Sequence, residues 1–321
     1  MKHRLLVPRT LAAVAAELAA GRTDVEIETF WSETQEAFRA RLAGVHGVGL
    51  GLTPFGAAEV AAAPALKVVA RIGVGYDTVD VAALTKARVP LMIAGIANSV
   101  SVAEHALFFM LAHAKRGAEL HATVVDGQWR QRLERMPSDL YGKTVLVVGC
   151  GRVGLRTIRR CAAFEMRVLA YDPYVSQDML RVTGAEPVPD LDEALAQADY
   201  LTLHCPKTPE TVGLIDARRL ALMKPGACVI NTARGGIVDD VALAAALAAG
   251  RLGGAGVDVF DPEPPAPDHP LLKAPNLITA PHMAGVSREA WDRMARATVT
   301  NLLDAVDARP LRENVVNPEV L

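Results

Sequence analysis

The sequence is short of the features that mark several large protein classes. Cysteine is scarce: Cys150, Cys161, Cys205 and Cys228 are spread over 321 residues, with no CxxC pair and no histidine-rich neighbourhood. A disulfide framework or a zinc site needs closer spacing, so neither is expected, and a reducing compartment suits the thiols better. No stretch concentrates lysine and arginine, and the formal net charge is −2. A nucleic-acid partner calls for a dense basic face and is not expected. No apolar run reaches membrane-spanning length. Lys2, His3 and Arg4 have the sign of a signal-peptide start, but Pro8, Arg9 and Glu17 break the apolar stretch behind them. These absences point to a soluble cytoplasmic protein, with no membrane or nucleic-acid partner.

What is present is an alternation. Apolar residues make up 51% of a chain too long for one compact core, so two domains are the natural expectation. Short β-branched runs alternate with Ala/Leu-rich helical stretches. Leu5–Val7 precedes a helix near Leu11 to Ala20, and Val25–Ile27 another near Glu33 to Ala43. Strands are expected at Val45–Leu52, Lys67–Ile72 and Pro90–Ile93. This rhythm reads as βαβ units around a parallel sheet. It breaks at one long apolar helix, Ser99 to about Arg116, and a second helical piece ending near Trp129.

Alternation restarts at Lys143, with strands expected at 144–149, 167–171, 186–188, 199–203, 227–231 and 276–280, and a seventh at 254–259. A final helix, roughly Arg288 to Ala305, lies beyond the last of these strands. The expected fold class is therefore α/β, with one parallel-sheet domain inserted into another: 101–285 inside 1–100 plus 286–321. The crossings near 98–101 and 284–288 would form a hinge. No segment is of low complexity, and the proline-rich piece Asp261–Pro270 reads as an ordered loop.

The strand Lys143–Val148 runs directly into Gly149-Cys150-Gly151-Arg152-Val153-Gly154, which opens a helix through Ile158 to Phe164. In such a GxGxxG turn the first glycine permits the tight bend, the second admits a pyrophosphate, and the third lets helix and strand pack closely. The helix N-terminus offers free N–H groups to the phosphates. The next strand ends at Asp172, near the spacing of about 20 residues expected for a carboxylate on the adenosine ribose. Its charge disfavours a 2′-phosphate, so the cofactor expected is NAD.

Four later strand ends carry polar residues where such a sheet has its ligand crevice. They are His204-Cys205-Pro206, Asn231-Thr232-Ala233-Arg234, Gly256 to Glu263 with Asp258 inside it, and Pro281-His282. Hydride chemistry on a keto acid needs a cation, a proton shuttle and a group that tunes the shuttle. Arg234 offers a planar donor fork, His282 titrates near working pH, and a carboxylate such as Glu263 beside an imidazole favours the imidazolium.

With these motifs in place the chain resembles the D-isomer-specific 2-hydroxyacid dehydrogenases, the family of phosphoglycerate dehydrogenases and hydroxypyruvate reductases. The resemblance runs from Arg71-Ile-Gly-Val-Gly-Tyr-Asp77 through Val102-Ala-Glu-His105, Gly127-Gln-Trp129 and the glycine loop. It continues through Leu203 to Glu210, Asn231 to Asp239, Gly256 to Pro264 and Pro281-His282. It implies a Rossmann-type NAD-binding domain inserted into a flavodoxin-like substrate domain, and the catalytic trio Arg234, Glu263 and His282. It implies cofactor contacts at Gly149, Gly151, Arg152, Val153, Gly154, Asp172, His204, Cys205, Pro206, Thr232, Ala233, Asp258 and His282. Asp258 takes the nicotinamide carboxamide. Substrate contacts fall to Arg71, Val74, Gly75 and Arg234, and the helices from Ser99 to Trp129 would join two copies into a homodimer.

The implied activity is hydride transfer between NAD and a small D-2-hydroxy or 2-keto acid, of the hydroxypyruvate, glyoxylate or phosphohydroxypyruvate type, with the acid entering between the domains. The alternative is a non-catalytic NAD-sensing protein like the corepressors related to the family. Phosphite or formate oxidation is a further alternative, against whose formate version Glu263 speaks. Lys207 stands where Leu is usual, which would put a cation near the cofactor side. Met-Ala-Gly-Val-Ser follows His282 where Leu-Gly-Ala-Ser-Thr is typical of phosphoglycerate dehydrogenases. A regulatory domain after the last helix, and with it serine feedback, is not expected. Arg71 reads equally as a substrate contact or an exposed ion pair, the Glu104–His105 pair as an interdomain bond or a functional group, and His204 as a cofactor neighbour or a packing residue.

Overall fold

The computed structural model describes residues 2–31, 33–134 and 136–321. Its contacts divide into two units, one running up to Asn98 and resuming over Ser287–Leu321, the other Ser99–Val286. No helix among the described residues is long and apolar enough to cross a membrane.

The first unit holds β1 (His3–Pro8), β2 (Val25–Phe30), β3 (Gly47–Leu50), β4 (Val68–Arg71) and β5 (Leu91–Met92), in the order β2-β1-β3-β4-β5. All four pairings are parallel. This is the flavodoxin-like order, with its reversal between β1 and β3. The central strands read as continuous apolar runs because helices cover both faces. On one face Leu5, Val7, Val68 and Ala70 pack with Met294, Val299 and Leu302 of the helix Arg288–Val306. On the other, Leu6, Val48 and Val69 pack with Phe38, Phe55 and Leu84. Polar ties fix the returning segment to the same sheet. Asn301 Nδ2 donates to Ile93 O (2.9 Å), and Asn317 Oδ1 accepts from Leu91 N (2.8 Å).

The second unit holds β6 (Thr144–Val148), β7 (Arg167–Tyr171), β8 (Glu186–Pro187), β9 (Tyr200–Leu203), β10 (Cys228–Asn231), β11 (Gly254–Val257) and β12 (Leu277–Thr279). They form one parallel sheet in the order β8-β7-β6-β9-β10-β11-β12, which is the doubly wound dinucleotide-binding order extended by one strand. Leu146, Leu201, Leu203 and Val229 face one core with Leu195, Leu220 and Leu243. Val145, Val147, Val168 and Ile230 face the other with Phe109, Met110 and Ile158. Register brings the strand ends level: Val148 pairs with Leu203, Leu203 with Asn231, Asn231 with Val257 and Val257 with Thr279. The residues that follow, Gly149, His204, Thr232, Asp258 and Ala280, therefore line one edge of the sheet.

The long apolar helix spans Ser99–Lys115 and stops where Arg116 adopts a left-handed φ of 51°. The next helix, Gly117–Val125, buries none of its residues within this chain. Several strands end earlier than their apolar runs suggest. β11 stops at Val257 rather than at Val259; the Asp258 N–H still donates to Asn231 O (3.0 Å), while its carboxylate binds the loop after β12.

Candidate active site

The glycine loop has the geometry its sequence demands. Gly149 bends at φ +88°, and a Cβ there would lie 2.5 Å from Cys205 N, so the His204–Cys205 backbone rests directly on it. A Cβ on Gly154 would lie 2.0 Å from Gly149 O, which enforces close helix–strand packing. Around Gly151 nothing among the described residues comes within 4 Å of a Cβ position, leaving open backbone at the N-terminus of the helix Gly154–Ala163. That is the cradle a pyrophosphate requires. Asp172 Oδ2 accepts from Cys150 N (2.7 Å) and Oδ1 from Tyr174 N (2.9 Å), so the loop itself orients the carboxylate. These residues fit a dinucleotide. Burial pushes the Cys150 thiol up to about 12 and Cys205 up to about 11, so neither is a nucleophile at neutral pH.

His282 follows β12 with φ 56°, a strained conformation for a residue with a side chain, and it is held there from below. Its N–H donates to Asp258 O (2.8 Å), while Asp258 Oδ1 and Oδ2 accept from Met283 N (2.7 Å) and Ala284 N (2.9 Å). Asp258 is 1% exposed. Burial raises its pKa above the ordinary carboxylate value, and the two N–H bonds oppose that shift. Sequence reasoning assigns Asp258 to the cofactor and misses this anchoring of the His282 loop.

His282 Nδ1 lies 2.7 Å from Glu263 Oε2. A carboxylate can only accept, so Nδ1 donates and carries the ring proton on that side. The other carboxylate oxygen, Oε1, accepts from Phe260 N (3.0 Å). Glu263 is thus held from both sides and is not simply a solvated loop acid. Pro262 and Pro264, which flank it, both follow cis peptide bonds.

Arg234 follows β10 in a turn built by Asn231, whose Oδ1 accepts from Ala233 N (3.1 Å) and whose Nδ2 donates to Arg234 O (2.9 Å). The i to i+2 bond is an Asx turn, a signal readable from an asparagine closing a strand. Arg234 Nη1 donates to Ala233 O (2.7 Å). The Arg234 turn meets the Glu263 loop through Gly235, whose Cβ position is only 2.0 Å from Phe260 O. Thr232 is buried, and its Oγ1 has no hydrogen-bond partner among the described residues, as a hydroxyl reserved for a ligand would be.

Other sequence-derived candidates fall differently. The His204 imidazole turns inward: Nε2 is 3.0 Å from Thr202 Oγ1, and burial pushes it down to about 3, so it is neutral and packs the strand end. Glu104 pairs with Arg160 rather than with His105. His105 packs edge-on against Phe108 and Phe109, and desolvation lowers its pKa. Lys207 is not a free cation, because it is bonded to Asp261. Arg71 is 8% exposed and donates to Ile72 O (3.0 Å), which overturns the reading of an exposed ion pair. It ends β4 in the first unit, ahead of the loop that carries half-buried Val74 and Gly75.

Beneath the Glu263 loop, the Phe260 ring meets His269 edge-on at 5.8 Å, and His269 Nε2 lies 3.6 Å from Asp240 Oδ2. Burial pushes Asp240 up to about 6, from an ordinary 3.8. A carboxyl raised in this way favours folding in its protonated form. That contribution is complete below about pH 4 and is lost as pH rises through 6. Asp240→Asn is therefore expected to stabilise the protein at pH 8 by about 1–3 kcal/mol and much less at pH 4. Equal changes in melting temperature at the two pH values would contradict this.

Residues 107–284 match the family model of the D-isomer specific 2-hydroxyacid dehydrogenase NAD-binding domain. The chain is 41% identical over 268 residues to a D-3-phosphoglycerate dehydrogenase of Archaeoglobus fulgidus, covering 84% of this chain and 50% of that one. The chain thus spans about half the length of that relative. It is 39% identical to a glyoxylate reductase of Korarchaeum cryptofilum, covering 85% of this chain and 83% of that one. The TT0316 protein of Thermus thermophilus superposes with a TM-score of 0.85 at 36% identity, covering 98% of this chain and 99% of that one. With the glycine loop, Asp172 and the Glu263–His282 pair on one sheet edge, and with these similarities, the chain belongs to the D-isomer specific 2-hydroxyacid dehydrogenase family.

Proposed function

We propose that the protein is an NAD-dependent oxidoreductase that moves a hydride between nicotinamide and a small D-2-hydroxy acid or 2-keto acid, of the hydroxypyruvate, glyoxylate or phosphohydroxypyruvate type. The observation that carries this reading is the Glu263–His282 hydrogen bond of 2.7 Å at the carboxyl edge of the sheet. Bound NADH supplies the hydride. Gly149, Gly151, Arg152, Val153 and Gly154 would hold the pyrophosphate, Asp172 the adenosine ribose, and the Cys205-Pro206, Thr232-Ala233 and Asp258 edge the nicotinamide end. His282, oriented by Glu263 through Nδ1, donates from Nε2 to the oxygen of the keto group as it becomes an alkoxide. The Arg234 guanidinium stabilises the same developing charge and grips the carboxylate. Val74, Gly75 and Arg71 are assigned to the substrate carboxylate or a phosphate. Relatives named as a phosphoglycerate dehydrogenase and a glyoxylate reductase support this substrate class.

The test is NADH consumption against glyoxylate, hydroxypyruvate, phosphohydroxypyruvate, pyruvate and bulkier 2-keto acids, with NADPH beside it. Turnover of one acid with NADH is expected. Silence across the panel with NADH still bound would replace this reading with the NAD-sensing one.

We also assign a homodimer to the surface of Ser99–Trp129. Val124, Val125 and Trp129 are 57%, 68% and 61% exposed, an apolar strip that a single chain leaves uncovered. Sedimentation as a single chain at micromolar concentration would contradict it. The four cysteines are free, which supports a cytoplasmic location, testable by cell fractionation.

A further inference from the structure

Two loops with different tasks meet at Gly236. A Cβ on this residue, whose φ is +80°, would lie 2.8 Å from Asp261 Oδ2 and 3.1 Å from Lys207 Nζ. The Lys207 ammonium donates to that same Asp261 oxygen. Lys207 belongs to the loop after β9, which begins with His204-Cys205-Pro206, and Asp261 to the loop after β11, which carries Glu263. Gly236 lies two residues beyond Arg234. The ion pair therefore spans three strand-end loops at one point.

We propose that Lys207 is a positioning residue, which by clamping Asp261 over Gly236 fixes the backbone that aims Glu263 at His282. The inference rests on the reading of Arg234, Glu263 and His282 given above. The Phe260 N–H donates to Glu263 Oε1 (3.0 Å), and Glu263 Oε2 accepts from His282 Nδ1 (2.7 Å). Asp261 is the residue next to Phe260, so releasing its side chain lets the amide that orients Glu263 drift. A misplacement of about 1 Å at a proton-transfer group costs up to about a hundredfold in rate.

Two other roles for Lys207 are less well supported. A cation recruiting a substrate or cofactor phosphate would need its charge available, whereas here Asp261 neutralises it. A purely stabilising ion pair would be a poor one, because the Lys207 and Asp261 side chains are 31% and 53% exposed and water screens them. For the same reason loss of the pair should leave the fold intact and the positional effect measurable.

The experiment compares Lys207→Met, Asp261→Asn, the double variant, and the reversed pair Lys207→Asp with Asp261→Lys in the full chain. Hydrogen exchange at the Phe260 amide is the first readout and needs no activity. Protection there should fall about tenfold in each single variant, while the Ala284 amide, bonded to Asp258, keeps its protection. In the keto-acid assay kcat should fall about tenfold, with the Kd for NADH unchanged. The double variant should be no worse than the singles, because one contact is lost in each case. The reversed pair should recover most of the loss.

Unchanged Phe260 exchange in the single variants overturns the proposal. So does additivity in the double variant, failure of the reversed pair to recover, or a loss expressed only in NADH affinity. Failure of the underlying reading is a separate result, seen when His282→Ala turns over keto acid as fast as the unaltered protein.

Discussion

Replacing His282 with Ala is expected to lower keto-acid turnover by about 10²–10⁴-fold, the usual range for a general acid. The His282 imidazole is 45% exposed and its ion-pair partner is Glu263, so little packing is lost with it. The backbone that shapes this loop is held by Asp258 and does not depend on the imidazole. Melting temperature should therefore stay near that of the unaltered protein while kcat collapses. Glu263→Gln is a milder lesion by the same logic, since an amide can still accept from Nδ1 but without charge. Turnover of His282→Ala within a factor of a few of the parent would remove the imidazole from proton transfer.

Gly235→Ala is expected to be the most damaging single-methyl change in the site. The added carbon would lie 2.0 Å from Phe260 O and 2.1 Å from Phe260 C, both backbone atoms, so no side-chain rotation relieves the clash. The two segments must part, and one carries Arg234 while the other carries Glu263. Overpacking of this kind costs about 1–3 kcal/mol in stability, and the displaced groups should lose about a hundredfold or more in kcat. Gly151→Ala is the internal control. Its Cβ meets nothing among the described residues within 4 Å, so stability should hold while NADH affinity falls. Thermal melting, kcat and NADH titration on the two variants separate the roles, and full activity in Gly235→Ala would show that the two loops are not mechanically coupled.

Much of this arrangement is legible in the residues themselves. Apolar runs such as Val145–Val148 and Val168–Ala170 announce buried parallel strands, because no polar face is needed between two helical layers. The glycines at 149, 151 and 154 announce the turn, the approach and the packing that their surroundings display. Less legible is what holds the chemistry in place. Asp258 reads as a ligand-facing acid, yet both its oxygens are occupied by amides 25 and 26 residues away. Lys207 and Asp261 are 54 residues apart, and no local period links them. Arg71 is legible only in part: its burial at the end of β4, with a neighbouring carbonyl as acceptor, removes the exposed ion pair and leaves the substrate contact as the remaining reading. Val259 and Phe260 extend an apolar run without extending β11, since their loop is shaped by Glu263 and Gly235. Periodicity records burial and propensity; it carries no record of which distant backbone groups a loop satisfies.

The central claim, that this sheet edge performs hydride transfer to a 2-keto acid, is tested most directly by the initial rate of NADH oxidation with the purified protein and the keto-acid panel. Saturable NADH oxidation with at least one of these acids, and little with NADPH, is the predicted result. A protein that binds NADH and oxidises it with none of them would contradict the account.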